Sequence, residues 1–213
     1  MATFGEFQTD VADIVAQSNL SGSMVLLTRL AQDQLSRKYA PRFLEHTVSI
    51  TPSVNQFILP ADMLRFFQAR LWDTSGGSAQ LTEVPESYGR RVGVTRTTAI
   101  TSAASISEPF FWREVGGLCL LSFDITTGMT VEVDYKRKEA YLAATTDTNL
   151  WLENAYDILL YATAMHAMVY MKDETRASMY QTMAASALDD LRKQDVADEI
   201  ESKDRIYKGG FDA

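Results

Sequence analysis

One cysteine and two histidines among 213 residues leave little material for covalent staples or metal chemistry. A lone thiol forms no intrachain disulfide. Cys119 sits in the apolar run Leu118, Cys119, Leu120, Leu121 and reads as a small buried hydrophobe in a protein of a reducing compartment. His46 and His166 stand far apart in the chain, and zinc needs several ligands of matching type, so no metal and no other cofactor is expected. His166 reads instead as a core or interface histidine satisfied by a hydrogen bond.

Positive charge is also short, with 20 Lys and Arg against 28 Asp and Glu and a net charge of −8. A broad grip on nucleic acid requires clustered cations that displace counterions, and this balance argues against it. An acidic surface instead repels a nucleic acid that slides past it. Cations do cluster at Arg37, Lys38 and Arg42, at Arg90, Arg91 and Arg96, and at Lys136, Arg137 and Lys138. None interleaves with aromatics in the manner of a single-strand binder, and an acidic patch on a neighbouring protein suits them equally.

A membrane-length apolar run is missing too. The greasiest segment, 155–171, has only Asp157, Thr163 and His166 as clearly polar residues, and as a helix it reaches about 26 Å against a hydrocarbon core of about 30 Å. No membrane span is expected. A helix apolar on nearly every face needs neighbours on several sides, from its own chain or from another subunit. Residues 1–6 lack the basic start and apolar stretch of a secretory signal, so export by that route is not expected, and the sequon Asn19, Leu20, Ser21 carries no meaning without it.

Catalytic motifs are likewise missing: no glycine-rich phosphate loop, nucleophile elbow or paired-histidine helix occurs. The carboxylate pairs Asp173 with Glu174, Asp189 with Asp190 and Glu199 with Glu201 fall where helix ends or solvated faces are expected. Acid and base catalysis needs carboxyls held in a cleft with separated pKa values, and no enzyme is expected.

Present at both ends is helical periodicity. Thr3 and Glu6 have capping-box spacing, with Phe4, Phe7, Val11 and Ile14 on one stripe. Ser18 to Ser23, with Gly22, reads as a break. Met24, Leu27, Leu30, Ala31 and Leu35 then carry a second helix toward Tyr39, stopped by Pro41. From 149 onward two antiparallel helices are expected, the second through Met179, Tyr180, Met183, Ala184, Ala187, Leu188 and Leu191.

Between the ends the period is two. Val48 and Ile50 alternate with Thr47, Ser49 and Thr51, and Pro52 to Asn55 supply a turn back into Gln56 to Leu59, which closes a first hairpin before Pro60. Leu64 to Trp72 reads as a strand, followed by a Gly76-Gly77 turn and Gln80 to Val84, so a β meander is expected. The stretch 95–107, mostly Thr, Ser and Ala, reads as a loop or an edge strand. Gly116-Gly117 between Phe110 to Val115 and Leu118 to Phe123 has the spacing of a tight two-residue hairpin. Val131, Val133 and Tyr135 share one face of a strand whose other face holds Thr130, Glu132 and Asp134.

The expected fold class is therefore α+β. A helical bundle is built from 1–45 and 149–194, a barrel-like or sandwich-like antiparallel β domain is inserted at 46–148, and a C-terminal arm follows at 195–213. That arm mixes acidic and basic residues and offers few anchors, so alone it buries too little to stay ordered.

The order of these signals resembles the head-to-tail adaptor family of tailed bacteriophages, which includes the tail tubular protein A of short-tailed phages. The likeness is carried by Thr3-Phe4-Gly5-Glu6-Phe7, by Phe57-Ile58-Leu59-Pro60-Ala61-Asp62, by Pro109-Phe110-Phe111-Trp112 and by Val131-Glu132-Val133-Asp134-Tyr135. It ends in the helix pair from Leu159-Leu160-Tyr161-Ala162 through Met171-Lys172-Asp173-Glu174 to Tyr180. The resemblance implies a non-enzymatic virion protein, assembled in the host cytoplasm. It implies a homo-oligomeric ring, commonly of twelve copies, bound to the portal protein and to a tail or nozzle protein, with DNA passing through the lumen. It assigns the helices to ring packing, Arg113 and Glu132 to a tail-facing β insertion, and Ile200, Arg205, Ile206, Tyr207 and Phe211 to an arm that contacts portal or an adjacent subunit. Two rival readings stand beside it: a glycan-type binding module displaying Trp72, Trp112 and Tyr135, and an enzyme using the scattered carboxylates.

Overall fold

The computed structural model describes residues 2–17, 20–53, 55–93, 102–103, 110–125 and 128–209. Phe211 and, apart from Ser102 and Ala103, the stretch 95–107 lie outside the described residues. The chain divides into two compact units, Met1–Leu44 with Glu139–Ala213, and Glu45–Lys138. In chain order the helices are α1 Phe4–Val15, α2 Met24–Lys38, α3 Glu86–Gly93, α4 Leu150–Asn154, α5 Tyr156–Tyr170 and α6 Glu174–Gly209. The strands are β1 Glu45–Ile50, β2 Gln56–Ile58, β3 Met63–Trp72, β4 Ser78–Glu83, β5 Phe110–Arg113, β6 Leu118–Leu121 and β7 Thr130–Arg137. The fold is α+β, with helices from both chain ends and an inserted sheet.

In the helical unit α1 starts on its capping box. Thr3 Oγ1 accepts from the Glu6 amide at 3.3 Å, and Glu6 Oε2 accepts from the Thr3 amide at 2.7 Å. The helix ends at Ala16, whose φ of 55° is left-handed. Two of its last carbonyls find partners on α6: Arg176 Nη2 donates to those of Ile14 and Val15 at 3.3 Å each, and the Tyr180 hydroxyl to that of Ile14 at 2.7 Å. Orphan carbonyls are thereby satisfied, and a cation sits at the negative end of the helix dipole.

On α2 the residues Met24, Leu27, Ala31 and Leu35 are buried as the stripe predicts. Leu30, expected with them, is 43% exposed, because at 3.6 residues per turn it lies away from the others. α5 buries residues on several faces, among them Leu159, Ala162, Thr163, Met165 and Met168. Lys172, with a φ of 63°, lies in the short link to α6, which packs back on α5.

The helical pattern does not stop at 194. α6 continues to Gly209, so residues 195–209 of the expected arm are instead the distal part of a long helix. Asp195 explains the continuity: its Oδ2 accepts from the Tyr39 hydroxyl and from the Arg42 amide. Next to it Arg192 donates to the Lys38 carbonyl at 3.2 Å and lies over the Tyr39 ring at 5.0 Å. Same-helix ion pairs, Asp189 with Arg192 and Asp190 with Lys193, add support.

In the β unit the strands form one sheet in the order β1-β7-β3-β4-β5-β6-β2. The expected first hairpin and the meander through it are therefore corrected, while β3 and β4 pair antiparallel about the Gly76-Gly77 turn as expected. β1 pairs with β7, with Val48 opposite Val133 and Ile50 opposite Val131, and β2 pairs with β6. Alternation tells which face a residue takes but not which strand it pairs with. β4 and β5 run parallel, so the sheet is mixed. The Gly116-Gly117 hairpin forms, but with four residues, 114–117, between β5 and β6, and both glycines have φ near 80°. β7 is buried at Val131, Val133 and Tyr135, as its alternation predicts. The core of this unit also takes Phe57, Leu71, Leu81, Phe111, Leu121 and the Cys119 thiol, whose pKa burial pushes up to about 12.

Candidate assembly surfaces

Once α2 has buried its inner stripe, its outer face still carries Val25, Leu26 and Leu30, all exposed, with Leu26 at 59%. Apolar side chains left in water at adjacent helical positions form a patch that favours a partner. The patch is legible in the sequence as apolar residues beyond the 24, 27, 31, 35 stripe, a signal that the periodicity argument passed over. Arg29 and Arg37 share this face and are exposed. Arg29 lies over the Tyr141 ring at 4.3 Å, and the Tyr141 hydroxyl donates to Asp33 at 2.7 Å.

A second surface is an open groove of about 470 Å³ between α5 and α6, lined in part by Asp157, Ile158, Tyr161, Met183, Asp190 and Leu191. Its lining holds two carboxylates and no lysine or arginine. A smaller cavity of about 170 Å³ lies where α2, α5 and α6 meet, beside Leu35, Lys38, Ala162 and Leu188. Near it His166 Nε2 is 2.8 Å from Gln34 Oε1. Burial, then the positive charge of Lys38, push its pKa down, as suits a histidine satisfied by one hydrogen bond.

A third surface is the distal part of α6. Beyond Asp195, Val196 and Ile200 are exposed, Ile200 at 58%. Arg205, Ile206 and Tyr207 belong to the same helix.

In the β unit Arg113 and Glu132 are held by different partners. Arg113 on β5 makes two contacts with Glu83, Nε to Oε1 at 2.7 Å and Nη2 to Oε2 at 2.8 Å, and lies over the Phe66 ring at 4.7 Å. Glu132 on β7 is 3.9 Å from Arg70. The sequence reading passed over Phe67, which is exposed beside the cations of Arg65 and Lys136, where the β3–β7 register shifts between Phe66 and Gln68.

A model of the SU10 adaptor protein family matches residues 2–205, nearly the whole chain. The chain belongs to this family of phage head-to-tail adaptors. None of the curated proteins is a match for it. Membership makes the adaptor a structural protein of the phage virion that works with portal and tail components. Among the described residues no helix is long and apolar enough to cross a membrane.

The structure also weighs the rivals. A glycan module would have to display its aromatics, yet in the adaptor Trp72 is half-buried, Trp112 is 6% and Tyr135 3% exposed, and the Tyr135 hydroxyl is spent on Asp62 at 3.2 Å. β5 and β7 are interior strands of the sheet, and the large side chains there fill its core. The carboxylates offered for catalysis are engaged on helix surfaces: Asp173 accepts from the Arg176 amide at 3.0 Å in the first turn of α6, and Asp189 and Asp190 hold neighbouring cations. His46 stands edge-on to Tyr135, with ring centroids 5.6 Å apart. Among the described residues no cluster of His, Cys, Asp and Glu is arranged to hold a metal ion.

Proposed function

We propose that this adaptor closes into a ring, of twelve copies as is common in its family, that joins the portal to the tail and forms part of the DNA conduit. The family match over 2–205 carries the reading, and the apolar residues left exposed on α2, α5 and α6 supply the adhesive surface that such a ring requires. A closed ring needs a heterologous contact repeated around an axis, and the helical unit is the natural source of it. The net charge of −8 suits a lumen along which DNA slides without sticking.

The distal part of α6, where Ile200 is exposed, reaches the portal or an adjacent subunit, a contact to which Arg205, Ile206, Tyr207 and Phe211 are also assigned. The β unit, through the surface around Arg113 and Glu132, meets the tail. Charge reversals there impair tail attachment before they impair ring formation, and the opposite order refutes the division. Light scattering of purified adaptor, alone and mixed with portal, tests the whole reading. A ring-sized particle in either sample is expected, and a protein that stays monomeric in both overturns it.

A further inference from the structure

The two surfaces of the helical unit are complementary to one another. The outer face of α2 offers Val25, Leu26 and Leu30 flanked by Arg29, which lies over Tyr141, and Arg37, with the Tyr141-bound Asp33 between the two cations. The α5–α6 groove offers Tyr161, Met183 and Leu191 above the buried Ile158, flanked by Asp157 and by Asp190, which also holds Lys193 at 2.8 Å. One is apolar with a cationic edge, and the other is apolar with an anionic edge. They share no residue, and a contact that repeats head to tail requires two distinct patches on each copy.

We infer that the α2 face of one copy seats in the α5–α6 groove of the next, with Arg29 and Arg37 against Asp157 and Asp190. This rests on the ring reading and names the junction within it. Helix-in-groove seating uses anchors one turn apart, which Leu26 and Leu30 provide. Arg29 and Arg37 are two turns apart, about 12 Å along the axis, and so place one cation among the apolar anchors and one beyond them. The groove's carboxylates, with no lysine or arginine in its lining, disfavour DNA as its occupant. Apolar contact supplies the adhesion, and the charges choose the partner and its direction.

The test uses full-length chains and mixing. Arg29→Glu with Arg37→Glu, and separately Asp157→Lys with Asp190→Lys, are each expected to raise the concentration needed for assembly by about tenfold or more, since like charges then meet at every junction. An equimolar mixture of the two double variants is expected to regain assembly with the two chains alternating, because one junction then pairs the native α2 face with the native groove and the other pairs glutamates with lysines. A chain carrying all four changes is expected to regain the ring. Leu26→Asp, an exposed position whose change spares the fold, is a second probe of the α2 face and is also expected to block assembly.

Circular dichroism confirms that each variant is folded. Folded double variants that assemble as the wild type does overturn the junction while leaving the ring reading intact. Groove variants that still form rings but lose portal binding also overturn it, by giving the groove to the portal. Wild-type protein that never assembles, with or without portal, overturns the ring reading itself.

Discussion

Replacing Gly89 with alanine tests how tightly α3 is set against the sheet. A Cβ built at this position falls 2.4 Å from Trp112 Cδ2 and 2.6 Å from both Cε3 and Cγ, where ordinary carbon contacts lie at about 3.5–4.0 Å. The indole would have to retreat by about 1 Å. It has little room to do so, being 6% exposed and flanked by Phe110, on a strand paired on both sides. Elsewhere in a helix Gly→Ala gains about 1 kcal/mol, whereas overpacking costs about 1–3 kcal/mol. Gly89→Ala is therefore expected to destabilise the β unit by up to about 2 kcal/mol and to shift tryptophan emission. In a Trp112→Leu background the same change should recover the helical gain, so a double-mutant cycle in urea should report a coupling of about 1–3 kcal/mol. A Gly89→Ala protein that is more stable than wild type, with unchanged emission and no coupling, refutes the packing argument.

His166 titrates below its ordinary value near 6.5 because burial and Lys38 disfavour its charged form. The unfolded chain then binds more protons through that window, so stability falls as pH drops below about 6.5; His166→Leu should flatten this acid-side slope in denaturation curves, and NMR should place the imidazole pKa below its ordinary value. Asp73 accepts from Ser75, from the Gly77 and Ala103 amides and from the Ser102 hydroxyl, and the Ser75 hydroxyl first, then those amides, hold its pKa well below the usual carboxylate range. Its stabilising effect is present above about pH 4 and is lost in acid, so Asp73→Asn should lower the neutral melting temperature and shrink the difference between pH 7 and pH 3; an unchanged melting temperature refutes it. Asp195→Ala should cost about 1–3 kcal/mol as the Tyr39 hydroxyl and Arg42 amide lose a charged acceptor, seen as faster hydrogen exchange at Arg42. Truncation after residue 200 keeps Asp195 and should leave folding intact while weakening assembly.

Local features of this chain were legible because each depends on residues a few positions apart. Thr3 and Glu6 form the capping box that their spacing implies, Val131, Val133 and Tyr135 are buried as their alternation implies, and Gly116 and Gly117 take the positive φ of a turn. The α+β class and the adaptor likeness rest on the order of such signals along the chain. Partners of strands joined by a glycine turn were legible, as in β3 with β4 and β5 with β6, but long-range partners were not. β1 joins β7 and β2 joins β6 across long separations, and any strand of matching period could have offered the same faces.

The candidate surfaces divide in the same way. That α2 carries more apolar residues than one stripe can bury was written in the sequence at Val25, Leu26 and Leu30. Which acidic side chains of α5 and α6 share a groove was not, because Asp157 and Asp190 meet only after two helices fold back on each other. The continuity of α6 past 194 also depended on distant partners: a charged, weakly hydrophobic segment reads as loose until Tyr39 and Arg42 are brought to Asp195. Sequence alone determined most of the elements, though not α3, together with their faces and the absence of catalytic motifs, since propensity and periodicity act over a turn or two. Tertiary structure decided long-range strand pairing, the groove and the anchoring of the last helix, because those energies arise only between residues that the folded chain brings together.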